Sequence, residues 1–288
     1  MILTCLQETQ KPEINPTFRF ILIVIFFSVL GVILLVKLYR VIESIYASKY
    51  KKPFFLNAVI FRSGLTNHQK SILKSEFEFY RKLEIEQQGI FRHRLATFIN
   101  SKEFIGREGL VVDEEMKTLI SATAIMLTFG FRNYLIELID KVIIYPTAYY
   151  SNLNETYHKG ETNPQLKSIV FSWEDFKKGY HIGDDNLNLG IHEFGHAIHL
   201  NAFGKDDVSS EIFRGGFDKL TSYLQDHKLV RDTLTTSKYF RAYAYTNQFE
   251  FFAVLLENFI ETPDEFRGKF PKLYNFMKQM LNFNFAGY

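Results

Sequence analysis

A chain of 288 residues, 47% hydrophobic, is long enough to bury one sizeable core and carry an appendage. Its 34 basic and 32 acidic residues leave a formal charge of +2 without long basic runs, which gives no ground for direct nucleic-acid binding. The single cysteine, Cys5, excludes a disulfide within the chain and fits a domain kept in a reducing compartment.

Residues 1–17 read as an N-terminal tail. From Phe20 to Val36 the chain is uncharged and almost wholly apolar, bracketed by Arg19 and Lys37. As a helix that run rises about 25 Å, and Phe18, Leu38 and Tyr39 extend it, so residues 18–39 are expected to form one transmembrane anchor. No small-x-small site follows to mark a cleaved leader. Lys37, Arg40, Lys49, Lys51 and Lys52 come next against Glu43 alone, whereas Lys11 and Arg19 upstream are offset by Glu8 and Glu13. That asymmetry places everything after the span on the cytoplasmic side. Leu38, Val41, Ile42, Ile45 and Tyr46 keep a helical stripe going, so residues 40–53 are expected to run on as an interfacial juxtamembrane linker to Pro53, with its lysines near anionic headgroups.

Residues 54–288 read as one α+β domain, mostly helical with a small sheet. Asn67–Leu83, Gln87–Ile99 and Val112–Leu127 carry helical spacing, the last opening on Asp113, Glu114 and Glu115. Lys141–Tyr145, stopped by Pro146, and Lys167–Trp173 are β-branched runs expected as strands, joined by a polar loop from Tyr150 to Pro164. Ser168–Ser172 is the segment expected to offer an edge to which an extended peptide adds antiparallel. Val208–Leu224, Asn247–Glu261 and Lys272–Leu281 are expected helices, the last two parted by Pro263 and Pro271.

Between the second strand and those helices stands His192-Glu193-Phe194-Gly195-His196, an H-E-x-x-H pattern. Residues four apart share a helix face, so His192 and His196 aim two imidazoles at one zinc ion, and Glu193 reaches its open side as a base. Leu187, Ile191, Phe194 and Ile198 make the buried stripe, and Asn188, His192, His196 and His199 a polar one beside it. Asp184, Asp185 and Asn186 are the candidate N-caps. Position 199 is His and 202 is Ala, so the extended metzincin pattern fails and the third ligand lies farther along, where a carboxylate on a later helix is the usual alternative. Glu250 and Glu257 both qualify. Glu250 also fits N3 of a capping box on Asn247, and Glu257, seven residues on, also fits an acceptor for a ligand histidine. Tyr243 and Tyr245 are phenols able to donate to an oxyanion.

Taken together, Ile144-Tyr145-Pro146, Ile169-Val170-Phe171-Ser172-Trp173, the H-E-x-x-H run, Tyr243 through Val254, Glu257-Asn258-Phe259 and Phe270 through Tyr274 resemble the Mlc titration factor A (MtfA) family of zinc peptidases. The resemblance covers roughly residues 60 to 283. It implies a zincin-like catalytic domain related to the anthrax lethal factor peptidase fold, and aminopeptidase-like activity. Carried over, His192, His196 and Glu250 hold one zinc ion, Glu193 is the general base and Tyr243 the transition-state donor. Two departures stand out: the family's usual Asp three residues after the second ligand His is His199 here, a weak extra ligand or, as the favoured reading, a solvated histidine, and the soluble members lack the N-terminal anchor. The function expected is a membrane-anchored, cytoplasm-facing zinc metallopeptidase acting on a peptide or protein. The alternative is a regulatory protein that sequesters a partner such as a transcription regulator, with peptidase activity weak or vestigial.

Overall fold

The computed structural model describes residues 15–57, 63–151, 155–181 and 183–288. The upstream Glu8, Lys11 and Glu13 lie outside those residues. Two compact units are resolved, divided between Ile45 and Tyr46. The first is helix α1, Pro16–Tyr50, as far as that division. From Phe18 to Val36 every residue but Gly31 is exposed, and α1 is the one helix among the described residues long and apolar enough to cross a membrane.

The second unit starts in the last turn of α1. Ala47 there is buried against Val208 and Ile212, so a cut at residue 54 would uncover apolar surface that the sequence alone did not assign to the core. Farther on, Tyr46 stacks on Phe54, and the buried Arg94 guanidinium donates to the Leu56 carbonyl, Asn57 Oδ1 and the carbonyls of Thr128 and Phe129.

The expected helix over 67–83 is two helices, α2 (Asn67–Glu76) and α3 (Glu78–Lys82). Thr66 and Gln69 make a reciprocal capping box at the start. The break falls at Phe77, whose extended backbone (φ −101°, ψ 95°) turns its ring into the core beside Phe91 and Tyr180. Burying an aromatic ring outweighs one turn of helix propensity. Helices α4 (Ile85–Ser101) and α5 (Glu114–Leu127) follow with strand β1 (Glu103–Gly106) between them, too short to carry a period. Asp113 caps α5 through a bond from Met116 N.

Strand β2 (Lys141–Tyr145) forms where its β-branched run lies. The expected loop over 150–164 instead contains three short strands: β3 (Tyr149–Ser151), β4 (Thr156–His158) and β5 (Gly160–Asn163). Their polar residues carry no apolar alternation, because β3 and β4 form a separate antiparallel ribbon and β5 lies at a sheet edge. Strand β6 (Ser168–Ser172) completes a four-stranded sheet of order β1-β2-β6-β5, with β1, β2 and β6 parallel and β5 antiparallel to β6. The expectation that Ser168–Ser172 offers the edge is therefore wrong: β6 is interior with all five residues buried, and β5 is the edge. A strand buried on both faces reads as a continuous apolar run, which is what Ile169-Val170-Phe171 is.

Helices α6 (Trp173–His181), α7 (Leu189–Phe203), α8 (Val208–Asp226) and α9 (Lys228–Ser237) come next, then a 3-10 turn at Ala242–Tyr245, α10 (Gln248–Glu261), α11 (Pro263–Lys269) and α12 (Pro271–Met280). Proline opens α11 and α12 at their first turns, where its missing N–H costs no bond. The domain is mostly helical with a small mixed sheet, and its core is dense in phenylalanine, Phe91, Phe129, Phe194, Phe252, Phe259 and Phe283 among them.

Candidate metal centre

Helix α7 places the two imidazoles. Its cap is Asn188, whose Oδ1 accepts from Ile191 N at 3.0 Å, and not the earlier Asp184, Asp185 or Asn186. Asp185 spends its carboxylate on Leu187 N, and Leu187 lies before the helix, exposed, outside the stripe expected for it. Ile191, Phe194 and Ile198 are buried as the spacing requires. Gly195, inside the motif, faces α10: a Cβ there would stand 3.2 Å from Leu256 Cδ2 and 3.4 Å from the Ala253 Cα. The missing side chain lets α10 run close enough to bring its carboxylates to the histidines.

His192 and His196 stack edge to face, with their Nε2 atoms 3.1 Å apart. Glu250 closes the group, Oε2 at 3.1 Å from His192 Nε2 and Oε1 at 3.5 Å from His196 Nε2. One donor atom from each of the three lies within 4.8 Å of the others. Asn247 caps α10 with its own Oδ1, accepting from Phe249 N and Glu250 N, so the Glu250 carboxylate faces the imidazoles while its amide is held at the helix start.

Glu257 lies behind His192. Its Oε1 accepts from His192 Nδ1 at 2.6 Å, which holds the ring with Nε2 turned toward Glu250 and His196. Arg241 Nη2 donates to the same oxygen at 2.6 Å. Arg241 is a residue that sequence reasoning missed, since it stands outside any periodic or motif signal. Asn188 Nδ2, from the other side, donates to Glu261 Oε1 at 3.0 Å.

The electrostatics follow from this packing. Burial pulls His192 toward neutrality, but its bonds to Glu250 and Glu257 win and raise its pKa to about 9. Burial pushes the Glu250 carboxyl up, yet the two imidazoles hold it far below the usual carboxylate range. Glu193 is buried and its pKa is raised by that burial, against the pull of His192, His196 and a bond from Thr162. Burial, then Glu250, pushes the Tyr243 phenol up to about 12, so it keeps its proton. Its ring is half-exposed, 6.1 Å from the His192 ring. Tyr245 turns away, its hydroxyl donating to the Leu234 carbonyl at 2.7 Å.

His199 overturns its expectation. It is 4% exposed, walled by Phe203, Phe213, Phe217, Phe249 and Phe252, with Nδ1 lacking a hydrogen-bond partner. Burial drives its pKa down to about 4. It lies three residues past His196, a turn that carries it into the aromatic core; only the burial of α7 on both sides decides this, and that is a tertiary fact.

The donor set of two imidazole nitrogens and a carboxylate suits a catalytic zinc ion, which takes three protein ligands of these types and keeps one position open. The spacing supports the fit: the Nε2 separation is close to the roughly 3.3 Å that tetrahedral bonds of about 2.0–2.1 Å would set. A cavity of about 370 Å³ opens from His192, lined by Arg241, Tyr243, Asn188, Leu187 and Lys178 among others.

A family model described as glucose-regulated metallo-peptidase M90 matches residues 55–282. Among curated relatives, the chain is 24% identical over 236 residues to the uncharacterized protein slr2042 of Synechocystis sp., covering 76% of this chain and 85% of that one. It is 23% identical over 198 residues to Mlc titration factor A of Yersinia pestis, covering 62% of this chain and 71% of the relative, and matches its Yersinia pseudotuberculosis counterpart to the same extent.

Proposed function

The chain belongs to the glucose-regulated metallo-peptidase M90 family, and within it we propose a membrane-anchored zinc peptidase whose centre is His192, His196 and Glu250. The observation that carries this reading is the convergence of three donor atoms beside a buried carboxylate, Glu193, on the same helix. When bound, zinc supplies Lewis acidity toward a carbonyl and lowers the pKa of water. Glu193 takes the proton from the attacking water and returns it to the leaving amine. The Tyr243 O–H donates to the carbonyl oxygen as negative charge builds there. Glu257 and Arg241 keep the His192 ring in one orientation.

Strand β5, whose other edge is unpaired among the described strands, offers backbone groups to an extended peptide, which supports cleavage within or at the end of an unfolded segment, aminopeptidase-like cleavage included. The apolar, exposed α1 supports anchoring, and Lys37, Arg40, Lys49, Lys51 and Lys52 after it support a cytoplasmic catalytic domain, in the arrangement expected of a tail, an anchor over 18–39, a linker over 40–53 and a peptidase domain from 54.

The test is hydrolysis of an internally quenched peptide library by the full-length protein in detergent, beside Glu193→Gln. Zinc in both with cleavage only in the unsubstituted protein is expected; equal cleavage by both ends the reading. The name Mlc titration factor A carried by relatives motivates the second reading, sequestration of a regulatory protein. Zinc in both proteins, cleavage in neither, and equal capture of a protein partner would favour it.

A further inference from the structure

Strand β5 meets α7 with residues 160 and 162, which share a face because strand side chains alternate. The Thr162 hydroxyl lies 2.9 Å from the Glu193 carbonyl oxygen and 3.1 Å from Glu193 Oε2. Among the described hydrogen bonds it is the one that reaches the Glu193 carboxylate, and a buried carboxylate needs such a donor.

Gly160 leaves the space that this carboxylate fills. A Cβ at Gly160 would stand 2.8 Å from Glu193 Cγ, 2.9 Å from its Oε1 and 2.8 Å from Leu189 Cδ1. Gly160 is not among the residues with positive φ, so the position requires a missing side chain and not a glycine backbone. The Glu193 carboxylate interacts electrostatically with His192, His196 and Glu250.

We propose that β5 is a positioning strand for the base: Gly160 makes the room and Thr162 supplies the hydroxyl that hold the Glu193 carboxylate against the His192, His196 and Glu250 centre. The strand's free edge gives this a second consequence. A peptide added to that edge is registered by the same strand whose Gly160 and Thr162 register the base, so substrate and base share one ruler. Thr162 and Gly160 act through Glu193 and touch no substrate atom with their side chains. The proposal rests on the reading of Glu193 as the base.

The test uses the full-length protein in detergent, with Thr162→Val, Thr162→Ser, Gly160→Ala and Glu193→Gln, scored for bound zinc and for kcat and KM on the quenched peptide library. Thr162→Val and Gly160→Ala are expected to keep zinc and KM while kcat falls on the order of 10–100-fold, and Thr162→Ser to keep most of kcat. Unchanged kcat in Thr162→Val beside an inactive Glu193→Gln overturns the positioning role and leaves the peptidase standing. A separate measurement needs no catalysis: melting of the chelator-treated protein with Gly160→Ala in the natural and the Glu193→Ala backgrounds. The loss in Tm is expected to shrink when Glu193 is alanine, because two of the three crowding atoms are gone and only Leu189 Cδ1 remains. Additive losses overturn the cradle whether or not the protein cleaves peptides, and active Glu193→Gln overturns only the peptidase.

Discussion

Glu257→Ala separates a ligand from the group that steadies one. Glu257 is fully buried and holds two partners on one oxygen, His192 Nδ1 and Arg241 Nη2, each at 2.6 Å. Removing one partner of a buried ion pair costs about 3–5 kcal/mol, and the loss here belongs at the low end, since the Arg241 side chain is 29% exposed and regains water. The metal should respond less. Freed from Glu257, the His192 ring can rotate and lose basicity, which weakens zinc by about 10–100-fold, or about 1.4–2.7 kcal/mol. Glu250→Ala leaves two protein donors of three and should strip the ion outright. Competition with a chromophoric chelator reads the affinities, and melting of the chelated proteins reads the stability change apart from the metal. Full zinc in the Glu250 variant with none in the Glu257 variant would refute the assignment and exchange the two roles.

Tyr243→Phe should lower kcat on the order of 10²-fold with KM and zinc content unchanged, read in steady-state assays; an unaffected kcat removes Tyr243 from the reaction. His199 gives a pH signature. Its pKa falls from an ordinary 6.5 to about 4 in the fold, so the unfolded chain binds the extra proton and stability present above pH 6.5 drains away as pH falls toward 4, by about 3 kcal/mol in all. His199→Phe should flatten that part of the Tm profile in chelator-treated protein; a profile of unchanged steepness contradicts the burial argument. A reporter fused after Tyr288 should behave as cytoplasmic in membrane-bound fractions, and activity on the far side would reverse the orientation.

The site was legible where chemistry is local. His192, Glu193 and His196 are three residues of one helix, and the Glu250 turn follows a cap that the sequence shows plainly. What the sequence hid is whatever depends on two elements meeting. Asn188 won the cap of α7 because its side chain also reaches Gly179 and Glu261, partners that no local pattern predicts. Strand β5 has no apolar alternation because one face rests on a polar carboxylate at Glu193, so a period-2 search passes over it. Phe77 broke a well-patterned helix for a place in the aromatic core, and His199 was drawn inward the same way.

The separation of the donors along the chain has one further consequence. His192 and Glu250 stand 250 − 192 = 58 residues apart, on α7 and α10. An ion gripping both would act as a reversible staple, closing a loop whose entropy in the unfolded chain corresponds to about 4 kcal/mol on the scale used for covalent cross-links. Much of what a small domain has in reserve would then be on loan from the metal supply. In a zinc-starved cell the protein would fall first to proteolysis of its opened form, and its abundance would track the ion before its turnover did.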